Sequence, residues 1–361
     1  MLRAALIGLP STGKTTLFQL MTHTREAPRG KGDVNIGISK VPDTRLDRLT
    51  AMYNPRKRVP ATVEFTDIIA PAKSAQALVE VAGYKNADAL VHVARAFEND
   101  SVAHPAGSVN AARDAQAMED ELILADLSVA ERRLERIDKD LKKGRSTEVE
   151  KERDLIQRCR LALEGGQALR GLSLADDEGK RLRGFQFLSG KPLLLVINLG
   201  ESDLAEVGAD VQSAAEKTDL THFLSHASTR AVALCAKIEL EIGQLEGADA
   251  AAFLADLGMK ESGLDRVIRT TYDLLGYVSF FTVGEDECRA WSIARGTAAQ
   301  LAAAEIHTDI QRGFIRAEVV PYDALVARGS MSVCREHGEV RLEGKEYVVE
   351  DGDVINFRFA T

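Results

Sequence analysis

Gly8, Gly13, Lys14 and Thr15 stand in the spacing G-x-x-x-x-G-K-[ST] within GLPSTGKTT, directly after the apolar run LRAALI. Residues of these types at this spacing cradle a polyphosphate. The glycines let backbone N–H groups turn inward around a β-phosphate, and the start of the following helix adds positive potential. The lysine ammonium reaches the β- and γ-phosphates, and the threonine hydroxyl holds Mg²⁺. Gly8, Pro10, Ser11, Thr12, Gly13, Lys14, Thr15 and Thr16 are therefore the expected phosphate-binding residues. Asp67, near the end of the apolar run ATVEFTDII, is the expected acidic partner holding the Mg²⁺ through water.

A second constellation bears on the base. Asn198-Leu199-Gly200-Glu201 closes the apolar run PLLLVINL. GTPases of the Ras type carry N-K-x-D at such a place, where the Asp receives the guanine N1 and N2 hydrogens. Here Leu199 replaces the lysine and Glu201 takes the acidic place. One extra methylene advances that carboxylate by about a bond length, which spoils a bidentate fit to guanine. Cys235-Ala236-Lys237 occupies the place of the loop that packs against the base. Adenine carries no N2 amino group, and backbone carbonyls or Asn198 can meet its N6. ATP is thus expected in preference to GTP. His104, in NDSVAHPAG, is the candidate general base, since its ordinary pKa suits that role; the alternative is an exposed loop histidine. His92 lies inside an apolar run and reads as a core residue.

These residues need a scaffold that gathers them. Residues 2–7, 61–69, 87–95 and 191–203 read as strands, with STRAVALCAKIELEI supplying a fifth strand and a helix. Nearly all-apolar strands alternating with helices indicate an α/β fold whose parallel sheet is covered on both faces. Ligands bind beyond the carboxyl ends of such strands, and Gly8, Asp67 and Asn198 all fall there. In LSVAERRLERIDKDLKKG, Leu127, Ala130, Leu134, Ile137 and Leu141 recur at spacings of three and four, a narrow seam on a charged helix. Thr147 and Glu150 resemble a capping box opening a second helix, on which Val149, Ile156 and Leu163 continue the seam. The pair reads as a projecting antiparallel hairpin with Lys142, Lys143 and Arg145 at its basic tip. From about Tyr277 short strands and one helix, TAAQLAAAEIH, form a small α+β domain.

Composition excludes several classes. Charged residues make up 28% and hydrophobic ones 45% of 361 residues, with a formal net charge of -9 at pH 7. Unspecific binding of nucleic acid by the whole surface does not fit that balance. The four cysteines show no CxxC pair, so neither a disulfide framework nor a zinc site is expected, and a reducing cytoplasm fits. No apolar stretch approaches a membrane span.

The segments GLPSTGKTTLF, NLGES, CAKIELEI, ESGLDRVIRTTYDLLG, RAWSIARGTAAQLAAAEIHTDIQRGFIRAEVV and LEGKEYVVEDGDVINFRF strongly resemble the Obg-like ATPase (YchF) family over nearly the whole chain. The resemblance implies a Ras-like P-loop domain (residues 1–113 and 189–277), an inserted helical coiled-coil domain (114–188) and a C-terminal TGS domain of β-grasp type (278–361). It implies preference for ATP and association with ribosomes; beside it stand the expectations of Mg²⁺, slow hydrolysis, a contact with ribosomal RNA, and a monomer with no membrane or sequence-specific DNA partner. It also matches His104 to a histidine that family members often carry. The chain departs from the family pattern in three places. Ser11-Thr12 replaces Asn-Val, and the segment before Asn35-Ile36-Gly37 is shortened to GDVNIG. The D-x-x-G motif reads Asp67-Ile68-Ile69-Ala70, followed by Pro71 and a short AKSAQ. Loss of that glycine removes a flexible N–H for the γ-phosphate. A nucleotide-binding scaffold with little turnover, and a GTPase, therefore stand beside the slow ATPase as readings.

Overall fold

A computed structural model of the chain describes residues 2–24, 34–68, 82–142, 144 and 146–360. Ala70, Pro71, the AKSAQ segment, the first two residues of GDVNIG and the tip residues Lys143 and Arg145 lie outside the described residues. The strands are β1 (Leu2–Ile7), β2 (Val34–Lys40), β3 (Lys57–Val59), β4 (Thr62–Ile68), β5 (Ala89–Ala96) and β6 (Leu193–Leu199). They continue as β7 (Thr229–Leu234), β8 (Tyr277–Thr282), β9 (Glu287–Ala294), β10 (Phe314–Pro321), β11 (Arg341–Glu343) and β12 (Asp353–Phe359). Two compact units result. One comprises Leu2–Ser39 and Glu64–Leu274, the other Lys40–Val63 and Leu275–Thr361.

The first unit is α/β, built on a sheet of order β2-β4-β1-β5-β6-β7. β1, β5, β6 and β7 run parallel, in a register that sets Ile7 beside His92, Arg95 beside Asn198 and Asn198 beside Leu234. All seven residues of β6 are buried, because helices cover both faces and leave no side that faces water. One face packs Leu195, Ile197 and Ala233 against Phe223 and Ile238, and the other packs Ala5, Ile7 and Leu193 against Met118 and Leu122. The edge strand β2 is an element the reading above does not contain. Its apolar Val34, Ile36 and Ile38 point outward, while Asn35, Gly37 and Ser39 face the helix Lys14–Thr22. Close approach dictates that inversion. A Cβ on Gly37 would lie 2.4 Å from Thr22 Cγ2, and Ser39 Oγ donates to the Met21 carbonyl at 2.8 Å.

The hairpin consists of helices Ala111–Leu141 and Thr147–Glu164. Ala130, Leu134 and Ile137 meet Leu155, Ile156, Cys159 and Leu163 along the expected seam, and Arg133 grips Glu152 through two bonds of 2.6 and 2.8 Å. The second helix begins one residue earlier than a Thr147 cap requires. Ser146 is its N-cap and makes no side-chain cap bond, so the capping box does not form. A boundary between residues 113 and 114 also falls inside the first helix. That helix opens at Asn110, whose side chain accepts from Arg113 N–H, and its first turns pack on the sheet through Ala115 and Met118. No glycine or proline interrupts it, so one rod serves both the sheet and the hairpin.

In the second unit the sheet order is β11-β10-β12-β8-β9-β3. β8 pairs antiparallel with β9 and β10 with β12, whereas β12 and β8 are parallel. The helix Ala299–Ile306 covers one face, bringing Ala299, Ala302 and Ala303 onto Phe280 and Phe357. Residues 40–63, read above as part of the nucleotide domain, belong here instead. β3 pairs with β9, and the helix Thr44–Tyr53 brings Arg45 over the Phe281 ring at 5.2 Å and onto Asp351 at 2.7 Å. All four cysteines are buried free thiols, and no helix among the described residues is long and apolar enough to cross a membrane.

Candidate nucleotide-binding site

Gly8 and Gly13 carry φ angles of 139° and 97°, a region closed to most side chains. The space around them is closed as well. A Cβ on Gly8 would meet the Val93 carbonyl at 2.6 Å, and one on Gly13 would meet Asn198 Nδ2 at 2.6 Å. The loop between them feeds the helix Lys14–Thr22, whose N-cap Gly13 supplies no side chain to the first-turn N–H groups. Those donors remain available to an anion. Lys14 folds back so that Nζ donates to the carbonyls of Gly8 (2.9 Å) and Leu9 (2.7 Å). Burial lowers its pKa from 10.5 to about 8, against the opposing attraction of Asp67.

Thr15 Oγ1 donates to Asp67 Oδ2 at 2.9 Å, and Asp67 is 1% exposed. Its Oδ1 is buried without a hydrogen-bond partner among the described residues. An orphaned carboxylate oxygen beside a threonine hydroxyl suits a hard cation that takes oxygen ligands. Thr15 and Asp67 therefore fit Mg²⁺, which would supply charge neutralisation at the β- and γ-phosphates. His92, buried as expected, has its pKa pushed down to about 3 by burial and then by Lys14 and Arg170, so it stays neutral.

Asn198 braces the site. Its Nδ2 donates to the Thr12 carbonyl at 2.9 Å and its Oδ1 accepts from Ala236 N–H at 3.0 Å, which clamps the phosphate loop to the Cys235–Lys237 turn. With 1% exposure it is a clamp rather than a reader of adenine N6. Leu199 also departs from expectation. It is 1% exposed and lies in the apolar cluster with Leu204 and Cys235, so it packs the core rather than facing a base. Glu201 is half-exposed and bonded to Lys237 Nζ at 2.6 Å. That carboxylate raises the Lys237 pKa. Cys235 is buried, and burial raises its thiol pKa.

His104 does not join this group. Its side chain is 3% exposed, with Nε2 2.9 Å from Asp114 Oδ2 and Nδ1 accepting from Ala106 N–H at 3.1 Å. The exposed-loop reading does not describe that arrangement. Arg95 is a residue the sequence reading missed. It is the penultimate residue of β5, 1% exposed, and donates to the carbonyls of Phe97 (3.1 Å), Val102 (3.0 Å) and Ser11 (3.5 Å). The signal was a cation closing the apolar run ADALVHVAR, the same kind of strand end that singled out Asp67.

Known proteins resemble this chain over nearly its whole length. Residues 277–360 match the family model YchF-GTPase_C, described as a protein of unknown function. Over 367 residues the chain is 40% identical to "Ribosome-binding ATPase YchF" of Bacillus subtilis, with 99% of each chain covered. The chain belongs to the YchF family. The protein of the same name from Haemophilus ducreyi is 37% identical over 366 residues, again with 99% of both chains covered. The solved Schizosaccharomyces pombe YchF GTPase superposes with a TM-score of 0.83 at 26% identity, covering 99% of this chain and 97% of that one. Thus the mixed α/β architecture read above is the YchF family's own.

Proposed function

We propose that this YchF-family chain is a cytoplasmic, monomeric P-loop protein that binds ATP with Mg²⁺, hydrolyses it slowly and acts in contact with the ribosome. The arrangement of Lys14, Thr15 and Asp67 on one loop at the carboxyl ends of parallel strands carries the reading. Lys14 would leave the Gly8 and Leu9 carbonyls for the β- and γ-phosphates, and Thr15 and Asp67 would hold the cation. The relatives named as ribosome-binding ATPases support the reaction and the partner. Preference for ATP follows from Glu201, because a carboxylate already paired with Lys237 must break that pair before it can accept from guanine. The hairpin tip, with exposed Lys142 and the neighbouring Lys143 and Arg145, is the proposed contact with ribosomal RNA.

Slow turnover follows from the phosphate site itself. Lys14 and Mg²⁺ stabilise charge, but no residue described around the phosphates positions a water, and His104 is engaged elsewhere. That engagement favours, as a second reading, a nucleotide-binding scaffold that turns over only with a partner. Titrating ATP and GTP against the Mg²⁺-loaded protein while following phosphate release separates the readings. ATP is expected to bind more tightly, with partner-free turnover on the order of 10⁻⁴ s⁻¹, the unassisted scale of Ras. Equal affinity for GTP overturns the preference, and turnover near one per second overturns the slow site.

A further inference from the structure

In a trans peptide the carbonyl of one residue and the N–H of the next point to opposite sides, so whatever holds the carbonyl aims the N–H. Side chains hold the carbonyls of the phosphate loop. Lys14 Nζ takes those of Gly8 and Leu9, Arg95 Nη1 donates to Ser11 at 3.5 Å, and Asn198 Nδ2 donates to Thr12 at 2.9 Å. Once Lys14 turns to the phosphates, Arg95 and Asn198 remain, neighbours in register on β5 and β6. The peptide units they hold carry the Thr12 and Gly13 N–H groups, which have no hydrogen-bond partner among the described residues. Both donors are thereby aimed away from those strand ends, the side on which ligands of parallel sheets bind.

Ser11 is the weak point of this arrangement. Its φ of 63° lies in the left-handed region, as do those of Gly8 and Gly13, but Ser11 carries a Cβ and keeps that conformation only where its surroundings impose it. Its own side chain is exposed, so packing does not impose it. Arg95 can. Bonds to the Phe97 carbonyl (3.1 Å) and the Val102 carbonyl (3.0 Å), with the Phe97 ring 4.7 Å away, fix the guanidinium plane and direct Nη1 at Ser11. An anion taken by the Thr12 N–H polarises the same peptide unit and makes the Ser11 oxygen a better acceptor, so ligand binding strengthens this long bond. Resting on the nucleotide reading above, we infer that Arg95 is a positioning residue for the polyphosphate. It holds Ser11 left-handed, and so presents the Thr12 N–H to a β-phosphate, without itself touching the nucleotide.

Calorimetric titration of Mg·ADP into the intact chain tests this role, with a urea melt of each variant as the control for folding. Arg95→Met is expected to weaken Mg·ADP about tenfold, the worth of one hydrogen bond from a charged donor. In a Ser11→Gly background the same change should cost less than about threefold, because glycine takes a positive φ without a tether. An arginine that acted by charge or packing alone would cost the same in both backgrounds, and that result overturns the inference. Ser11→Val, at an exposed position, gives a test that does not depend on how well the Arg95 variant folds. Its branched Cβ resists a positive φ and should weaken Mg·ADP about tenfold. Undiminished affinity there overturns the inference as well. An unaltered chain that binds no Mg·ADP defeats instead the nucleotide reading on which Arg95's role rests.

Discussion

Raising the pH from about 7 to about 9 should weaken nucleotide binding through Lys14. Burial holds its pKa at about 8 rather than 10.5, with Nζ donating, among the described residues, to the Gly8 and Leu9 carbonyls. That depression corresponds to about 3 kcal/mol of disfavour for the ammonium. The sign for folding follows directly. Below pH 8 folded and unfolded chains both carry the proton and the cost is present in full; it is relieved as pH rises through 8 toward the unfolded value of 10.5. Binding has the opposite sense. Phosphate oxygens favour the ammonium and draw the pKa back up, so the complex stays protonated where the free protein does not. Affinity should be flat below about pH 7.5 and fall about tenfold by about pH 9, with about one proton taken up per nucleotide there. The terminal phosphate of ATP is already ionised across that range. Calorimetric titration in buffers of different ionisation enthalpy reads the proton count directly. Constant affinity with no proton uptake at the upper pH would show that Lys14 is charged throughout and would refute the argument.

Gly8→Ala should abolish ATP binding and lower stability by about 1–3 kcal/mol, since a Cβ at φ 139° meets the Val93 carbonyl at 2.6 Å; isothermal titration and a urea melt check both parts. Asn198→Ala removes two buried bonds and should cost about 2–3 kcal/mol of stability, weakening ATP and GTP alike; a change in their ratio would contradict its role as a clamp. Glu201→Asp, with Leu199 left in place because it is core, should move preference toward GTP by about 1–3 kcal/mol, read as a change in the ratio of dissociation constants. Lys142→Glu should weaken co-sedimentation with ribosomes and flatten its salt dependence, whereas an unchanged salt slope would remove the tip from the contact.

The parallel sheet was legible because strands buried on both faces read as unbroken apolar runs, as in β6. β2 escaped because its pattern is inverted. The residues facing the core are Asn35, Gly37 and Ser39, chosen by the closeness of the first helix rather than by apolarity. The hairpin seam was legible from its spacing, while the helix cap was misplaced by one residue, a difference that only the backbone of Ser146 decides. Residues 40–63 were assigned to the wrong unit for another reason. β3 has three residues and its partner β9 lies more than two hundred positions away, and no local pattern encodes such a pairing.

Within the site the same division holds. Gly8 to Thr16 is one contiguous stretch, and its chemistry is written in its spacing; Asp67 and Asn198 are strand ends, which the topology brings to the same edge. What spacing does not carry is how charges balance once the loops close. Lys14 and Arg95 are both buried beside the phosphate loop, and among the described residues their hydrogen bonds go to carbonyls. Asp67 lies close enough to oppose the lowering of the Lys14 pKa, yet its own bond goes to Thr15. Carbonyl dipoles hold a cation in place without cancelling its charge, so the edge of the sheet keeps a positive excess in a medium of low dielectric. A polyphosphate is the ligand that removes it. The Arg95 cation also ties the Ser11 carbonyl of the phosphate loop to the Phe97 and Val102 carbonyls of the segment after β5, so the ligand that meets the excess charge meets it on a braced loop.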